Sequence, residues 1–296
     1  MKQRLKALSK QKKILLAVIA ALLCAAIITG GLIWKERSDY FCQYATPFAF
    51  SDIKGHEGVE LVAHRGQAIE APENTLPAYE KAAANGYKYA ETDIRATADG
   101  VWVLSHDASL KRMTGFSGIV EQLPLKEVTA HPITKGGNIK AYQDNPLYTP
   151  TYEDFIKLCK QKGLHPVIEI KTEPAKYPQA PYQDIITVLE RYDMVKQAVV
   201  ISFSYEALEI IRGYHAEIAL QYLTKTMDAA VFEKIEKLGG CGIDCEYKAL
   251  LKNKDLVALA KHAFIPLNAW TVDSPDAAEQ LCALGVDYIT TNAGKF

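Results

Sequence analysis

Short apolar runs rich in β-branched residues alternate with amphipathic stretches from Val59 to the end of the chain. A period of two or a short buried apolar run favours a strand, whereas apolar positions three and four residues apart favour a helix. The predicted strands are 60–64, 88–94, 166–171, 198–203, 217–223, 242–246, 266–272 and 287–291. The predicted helices are 75–85, 151–162, 181–192, 205–213, 227–238, 253–262 and 275–284.

Eight strands with helices between them indicate an α/β protein with a (β/α)8 TIM barrel over residues 59–296. A doubly wound open sheet is the alternative. It is less favoured because no Gly-x-Gly-x-x-Gly turn follows the first strand.

One further apolar run, Val101 to Ser105, follows Asp99-Gly100, which is a two-residue hairpin signal. If these two residues form the loop, His106 lies directly across from Asp93, on the face that Glu91 shares. The next segment, 108–150, has little periodicity and is predicted to be an insertion or lid of the barrel.

The N-terminal residues form a separate pattern. Residues 14–34 are 21 uncharged positions, long enough at ~1.5 Å per residue to cross a hydrocarbon core of ~30 Å. The preceding segment, 1–13, carries six Lys/Arg and no acid, which places the N-terminus in the cytoplasm and the large domain outside. We therefore predict a cytoplasmic tail (1–13), a transmembrane helix (14–34) and a linker (35–58) in a single-pass cell-membrane protein.

A cleaved signal peptide is the alternative for the apolar segment. That interpretation is less favoured because the run exceeds the 7–15 residues of a typical signal-peptide core and no small-x-small cleavage site follows it.

Charge and cysteine content narrow the function further. Removing the six N-terminal basic residues from the net charge of −1 leaves a net charge of −7 for the remainder. A nucleic-acid-binding domain would be expected to carry a positive net charge instead. Of six cysteines, Cys24 lies in the predicted anchor and the others are scattered without a CxxC pair, so we expect neither a disulfide framework nor a zinc site.

Polar clusters stand where three predicted strands or hairpin arms end, which is where α/β barrels carry their active sites. They are His64-Arg65-Gly66, Glu91-Thr92-Asp93 and His106-Asp107.

Three carboxylates are the candidate metal ligands: Glu91, Asp93 and Glu169. They would meet at the carboxyl ends of neighbouring strands, and Glu169 lies within an apolar run where an unpaired carboxylate is costly. An all-oxygen set suits a hard cation, Mg²⁺ or Ca²⁺, rather than zinc. The pattern leaves the choice between these two ions open.

Histidine, arginine and lysine supply the remaining chemistry. His64 and His106 are candidates for general acid and base, because imidazole can take or deliver a proton near neutral pH. Arg65 can grip a phosphate bidentately, and Lys171 can act as a point charge. Trp270 is a candidate apolar wall for the substrate. The sequence does not say which histidine is the acid.

The order of six motifs over about residues 59–292 resembles the glycerophosphodiester phosphodiesterase family. They are His64-Arg65-Gly66, Pro72-Glu73-Asn74-Thr75, Glu91-x-Asp93, His106-Asp107, Glu169-x-Lys171 and Trp270-Thr271. Within the second motif, Asn74 or Thr75 is the expected helix N-cap. One departure is Thr290-Thr291-Asn292-Ala293, where the family often carries a Thr-Asp-x-Pro-like signature. It puts the local loop structure in doubt.

The resemblance implies metal-dependent hydrolysis of glycerophosphodiesters to glycerol 3-phosphate and an alcohol. Two alternatives remain: a lysophospholipase D acting on lysophospholipids, and a non-catalytic barrel that binds phosphodiesters. The second is disfavoured because neither histidine and none of the carboxylates is missing. Head-group preference and oligomeric state are left open by the sequence.

Overall fold

The structure, a computed structural model, describes residues 45–295. Within this range eight parallel strands form a closed ring in the order β2-β10-β9-β8-β7-β6-β5-β3, and β3 pairs back with β2. The strands are β1 Phe48–Ala49, β2 Glu60–Ala63, β3 Tyr89–Ala96, β4 Trp102–Leu104, β5 His165–Ile170, β6 Val199–Ser202, β7 Ala219–Thr224, β8 Cys241–Glu246, β9 Leu267–Trp270, β10 Tyr288–Thr291 and β11 Gly294–Lys295. The predicted TIM barrel is confirmed.

Helices cover the outside of the ring. They are α1 Leu76–Ala84, α2 Lys111–Thr114, α3 Leu125–Val128, α4 Tyr152–Lys162, α5 Tyr182–Arg191, α6 Tyr205–Tyr214, α7 Ala229–Lys237, α8 Tyr247–Lys252, α9 Lys254–His262 and α10 Pro275–Leu284. Every strand and helix predicted within residues 59–296 has a counterpart within a few residues. Helix α8 was not predicted, because its six residues are too few to show a helical period.

Two apolar layers hold the barrel together. The larger layer lies between the strands and the outer helices. The smaller one fills the barrel interior with Val62, Val167, Ile201 and Leu223. Alternate residues of each strand point to opposite faces, so strands buried on both sides need apolar residues at both parities. This requirement explains the nearly continuous β-branched runs in the sequence.

The hairpin formed by β3 and β4 differs from the prediction by one residue. Ile94 pairs with Leu104 and Ala96 with Trp102, so that Ser105, rather than His106, lies opposite Asp93. The loop has three residues, 98–100, and Gly100 adopts a positive φ of 81°. A three-residue loop that ends in a left-handed glycine is a common hairpin type. The regular strand β4 ends at Leu104, and His106 lies beyond it. His106 therefore still lines the cavity at the barrel mouth, despite the shift of one residue.

The segment 108–150 folds into short helical turns rather than one long element. Its small apolar cluster contains Leu110, Val120 and Val128, packed with Val103 of β4. Gly137 lies so close to the Ala68 carbonyl that an added Cβ would stand 2.0 Å from that oxygen. The insertion is therefore packed tightly against the chain that follows β2.

The residues before the barrel lie alongside it. Phe50 and Ile53 are buried in the larger core, and β1 pairs in parallel with β11. Within residues 45–295 no helix is both long enough and apolar enough to cross a bilayer. The predicted tail 1–13, the predicted span 14–34 and the first part of the linker 35–58 lie outside the described residues.

Gly66 offers a test of the turn that carries the site. Its φ is +80°, and a Cβ at this position would lie 2.8 Å from the backbone carbon of Ala78. We expect Gly66→Ala to lower the free energy of unfolding by about 2 kcal/mol or more, because strain and overpacking add. Gly213→Ala, at an exposed position of helix α6 with open space around it, should instead raise it by about 0.5–1 kcal/mol. Urea unfolding of both variants measures the difference, and equal effects would contradict this account.

Candidate active site at the mouth of the barrel

The three predicted ligand carboxylates meet at the C-terminal end of neighbouring strands. Glu91 and Asp93 stand on β3, and Glu169 stands on β5 directly beside Asp93 in the register. Their side chains are buried, and one oxygen from each lies within 4.8 Å of the others. This spacing and the all-oxygen set fit a hard divalent cation.

Two basic side chains partly neutralise the cluster. Lys171 Nζ lies 3.1 Å from Asp93 Oδ1 and 2.6 Å from Glu169 Oε1. Arg65 Nε lies 3.2 Å from Asp93 Oδ2, and the Arg65 backbone N–H donates to Glu91 Oε2. Among the described residues, Glu91 Oε1 accepts no hydrogen bond. A bound cation would supply the partner that this oxygen lacks.

The electrostatics of the three acids differ. Burial, followed by the charges of Asp93 and Glu169, raises the pKa of Glu91 well above its ordinary value. Burial and the charge of Asp93 also raise the pKa of Glu169, although Lys171 opposes this. Burial alone would raise the pKa of Asp93, but Lys171 and Arg65 outweigh it and hold that pKa well below its ordinary value. The cluster retains unrelieved negative charge, which favours cation binding.

His64 directly follows β2, and its Nδ1 lies 2.8 Å from Asn292 Oδ1. The Asn292 amide nitrogen donates to Asp273 Oδ2 at 2.8 Å, which leaves only the amide oxygen for the histidine. His64 therefore carries its proton on Nδ1 and keeps the lone pair of Nε2 free. Burial, with a further contribution from Arg65, lowers the pKa of His64 to about 3, so the ring is neutral near pH 7.

His106 has a charged partner instead. Its Nδ1 lies 2.7 Å from Asp107 Oδ1, and its backbone carbonyl accepts two hydrogen bonds from Arg95. Burial and Arg65 lower the pKa of His106, while Asp93 and Asp107 oppose that shift. The two histidines thus face the same site with partners of different charge.

A chain of ion pairs connects the two halves of the site. Arg65 pairs with Glu73 at 2.9 Å, Glu73 pairs with Arg112 at 2.7 Å, and Arg112 pairs with Asp107 at 2.5 Å. Asp107 in turn holds His106. Arg112 belongs to α2, so the insertion itself positions a predicted site residue.

Asn74 does not cap helix α1; its side chain binds a candidate metal ligand instead. Thr75 occupies the N-cap of α1, but its side chain accepts no hydrogen bond from the helix N–H groups, and its hydroxyl donates to the Pro72 carbonyl instead. Asn74 adopts a positive φ of 55° and donates to Asp93 Oδ2 at 2.8 Å, while its own oxygen accepts from Tyr79. Asn74 thus fixes the orientation of a candidate ligand.

A cavity of about 210 Å³ opens beside the carboxylates. One wall is apolar and includes Ile201, Leu223 and Trp270. The Trp270 ring packs edge to face against Phe203, which is 43% exposed at the rim. Trp270 thus presents apolar surface to the cavity next to the charged groups.

All eight site residues named from the sequence lie at this mouth, and each lines the cavity except Asp93, which lies behind Arg65 and Lys171. Sequence reasoning assigned no role to five residues that support or line the site: Asp107, Arg112, Asp244, Asp273 and Asn292. Asn292 carried a signal, because it belongs to the segment 290–293 that departs from the family's pattern. Arg112 carried none, since it lies in an aperiodic segment.

An acidic cluster, two histidines and basic side chains at the C-terminal mouth of a TIM barrel are the groups that metal-assisted phosphoryl transfer requires. Residues 64–294 match the glycerophosphoryl diester phosphodiesterase family. The chain therefore belongs to this family.

Individual relatives agree with this assignment. A probable glycerophosphodiester phosphodiesterase 2 of Mycobacterium tuberculosis is 29% identical over 259 residues, which cover 80% of this chain and 88% of the relative. The glycerophosphodiester phosphodiesterase of Caldanaerobacter subterraneus is 26% identical over 78% of this chain and 93% of the relative. A phosphodiesterase of Oleispira antarctica, solved in complex with the product sn-glycerol-3-phosphate, superposes with a TM-score of 0.72 at 26% identity, covering 80% of this chain and 95% of the other.

The buried Glu73–Arg112 pair predicts a large effect of losing one partner. Arg112→Met should lower the free energy of unfolding by about 3 kcal/mol, because Glu73 stays buried with less compensation. Arg191→Met is the matched control, since Arg191 pairs with Glu153 at 2.6 Å on the surface. Its cost should be much smaller, because solvent screens an exposed ion pair. Chemical denaturation compares the two variants, and similar costs would count against a buried structural network.

Asp107 predicts a pH-dependent contribution to stability. Burial alone would raise the pKa of Asp107. The hydrogen bonds from His106 and Arg112 outweigh this effect and lower the pKa to about 2. Its folded pKa thus lies below the unfolded value of about 3.9, so its contribution is complete above about pH 5 and disappears as the pH falls towards 2. The stability difference between wild type and Asp107→Asn should shrink over this window. Unfolding curves from pH 6 to pH 2 test this, and a constant difference would refute it.

Proposed function

We propose that this protein is a metal-dependent phosphodiesterase that hydrolyses glycerophosphodiesters to glycerol 3-phosphate and an alcohol. The observation that carries the proposal is the convergence of two histidines, an arginine and a lysine on a buried three-carboxylate cluster. Family membership supplies the substrate class. The product bound by the Oleispira antarctica relative, sn-glycerol-3-phosphate, is the one expected here.

The ligands for the metal are Glu91, Asp93 and Glu169, and the ion is Ca²⁺ or Mg²⁺. Their oxygens lie within 4.8 Å of one another, and Glu91 Oε1 is without a hydrogen bond among the described residues. When bound, the cation supplies Lewis-acid polarisation of the phosphoryl group.

The two histidines divide the proton transfers. His64 is the general base, because its Nδ1 proton is engaged by Asn292 and its neutral ring keeps a lone pair on Nε2. His106 is the general acid, because the Asp107 carboxylate at 2.7 Å favours its protonated form. The base deprotonates the attacking hydroxyl, which is either water or a hydroxyl of the substrate's own glycerol; in the second case a cyclic phosphate forms, and water then opens it to glycerol 3-phosphate. The acid protonates the oxygen of the departing alcohol.

Arg65 and Lys171 hold the phosphate while they neutralise the acids around them. Both line the cavity, and both side chains are only about 15% exposed or less. The Arg65 backbone N–H donates to Glu91, and its guanidinium pairs with Asp93 and Glu73. These contacts fix the direction of the guanidinium. Positive groups fixed in this way stabilise developing negative charge without moving during the reaction.

A second candidate activity is that of a lysophospholipase D at the same site. The specific observation in its favour is the half-exposed edge-to-face pair of Phe203 and Trp270 at the rim. Such a pair offers an apolar surface to a fatty acyl chain that leaves the cavity.

The membrane is part of the proposed setting. Residues 14–34 are the proposed single-pass anchor, with 1–13 in the cytoplasm and the catalytic domain outside. Phe48 donates its N–H to the Ala293 carbonyl just beyond β10. Residue 48 therefore lies at the end of the barrel that carries the active site.

Chelation followed by metal return tests the activity. The detergent-solubilised full chain is treated with a chelator and then supplied with Ca²⁺, Mg²⁺ or Zn²⁺. Glycerol 3-phosphate release from glycerophosphocholine should return with a hard cation. His64→Ala and His106→Ala should each lower kcat by about 10²–10⁴-fold, whereas the exposed control His262→Ala should not.

Two other outcomes are informative. Release of choline from lysophosphatidylcholine without turnover of glycerophosphocholine would replace the proposed activity by the second candidate. A folded protein that is inactive on both substrates with every metal would refute a catalytic function.

A further inference from the structure

The cavity floor has a polar half that the proposed chemistry does not use. Asp244 of β8 and Thr290 of β10 line the cavity, and Asn268 of the intervening strand β9 supports them without lining it; all three are at most 3% exposed. The neighbouring strands β6 and β7 contribute Ile201 and Leu223 instead. One side of the floor therefore offers hydrogen bonds, and the other offers an apolar surface.

The polar half is held in a defined direction. The Thr290 hydroxyl donates to Asn268 Oδ1 at 3.1 Å. Asn268 therefore has its amide N–H groups left for Asp244, its neighbour in the strand register, and its side chain opposes the rise in the pKa of Asp244 that burial causes. This arrangement accounts for one side of the Asp244 carboxyl only.

The other oxygen, Asp244 Oδ1, has no hydrogen-bond partner among residues 45–295. Asp244 is 1% exposed and lines the cavity, and it is not part of the carboxylate triad. A buried polar atom without a partner carries an uncompensated desolvation cost. A ligand group that enters the cavity and hydrogen-bonds Oδ1 recovers that cost.

The surroundings specify the kind of ligand. Opposite the polar half, Ile201, Leu223 and Trp270 present carbon surface. A compact group with hydroxyls on one side and C–H groups on the other satisfies both walls. A hydroxyl can donate to a carboxylate and can also accept from a carboxylic acid, so it matches Asp244 in either protonation state.

Position within the ring indicates which hydroxyl reaches Asp244. In the order of the eight strands, β8 lies directly opposite β3, which carries Glu91 and Asp93. A phosphate held at the triad keeps its nearest hydroxyl beside the histidines. The hydroxyl farthest from the phosphate extends across the cavity towards β8.

We propose that Asp244 is a substrate-binding residue that receives the terminal hydroxyl of the glycerol moiety and thereby selects glycerol over less oxygenated alcohols. This inference rests on the proposed function, since it places the glycerol phosphate in the same cavity. It assigns a determinant of specificity to a residue outside every motif that the sequence analysis used.

A substrate lacking one hydroxyl tests the assignment. Glycerophosphocholine is compared with 2-hydroxypropyl phosphocholine, which lacks only the terminal hydroxyl and keeps the one next to the phosphate. Wild type should prefer the first by about tenfold or more in kcat/KM, because the analogue leaves Asp244 unpaired. Asp244→Ala and Asp244→Val should lose activity on glycerophosphocholine and reduce the preference to below about threefold.

Asp244→Asn is the matched conservative variant, since an amide of the same shape can still bind a hydroxyl. It should retain most of the preference. Thermal unfolding checks that each variant is folded, and the two apolar variants provide independent routes if one of them fails to fold. An equal loss on both substrates would overturn the proposal, because Asp244 would then act on the phosphate or on stability.

Binding measured without turnover separates this proposal from the proposed function. Calorimetry compares sn-glycerol 3-phosphate with 1,2-propanediol phosphate on the metal-loaded wild type and on Asp244→Val. Tighter binding of the first ligand by wild type alone would support the hydroxyl subsite even if no hydrolysis were found. Normal hydrolysis with equal binding of the two ligands would refute the subsite and leave the phosphodiesterase in place.

Discussion

Mutual repulsion among three buried carboxylates is the constraint around which the mouth of this barrel is built. Glu91, Asp93 and Glu169 stand close together, and each would be costly to bury as an isolated charge. Lys171 and Arg65 reduce this cost without removing it. A site with residual negative charge and all-oxygen donors is suited to a divalent cation, and the same basic groups are in place for a phosphate.

The neighbouring network follows from the same constraint. Arg65 has to be held against the acids, and Glu73 provides one anchor for its guanidinium. Glu73 is itself buried, so it needs Arg112, and Arg112 reaches Asp107 beside His106. The requirement that each buried charge has a partner thus extends from the strand ends to the insertion. The asymmetry between the two histidines also depends on these partners: His64 has a neutral amide, and His106 has a carboxylate.

Asn292 illustrates how one departure from the family's pattern fits its surroundings. Its amide donates to Asp273 and its oxygen accepts from His64. An aspartate in this place would bring a second carboxylate against Asp273 and could not donate to it when ionised. The amide therefore suits this loop, where the sequence alone had put the local structure in doubt.

The periodicity of the chain predicted the barrel because burial on both faces of each strand leaves a strong apolar pattern. The hairpin at Asp99-Gly100 was recognised, but its register was wrong by one residue. Two-residue and three-residue loops share the same Asp-Gly signal, and the left-handed Gly100 closes the longer one. The turns between 108 and 150 were not predicted, because short helices packed on loops depend on contacts rather than on local propensity.

The sequence by itself determined the barrel, the position of the polar clusters at the strand ends and the residue types available for chemistry. It could do so because two patterns are visible along the chain itself: the alternation of side chains along each strand, and the alternation of strands with helices. Tertiary structure alone decided the partners: Arg112 with Glu73, Asn74 with Asp93, Asn292 with His64, and Asp244 with the cavity floor. These contacts join residues far apart along the chain, and the physical reason for them, the need to pair a buried charge or polar atom, acts only once folding has buried it.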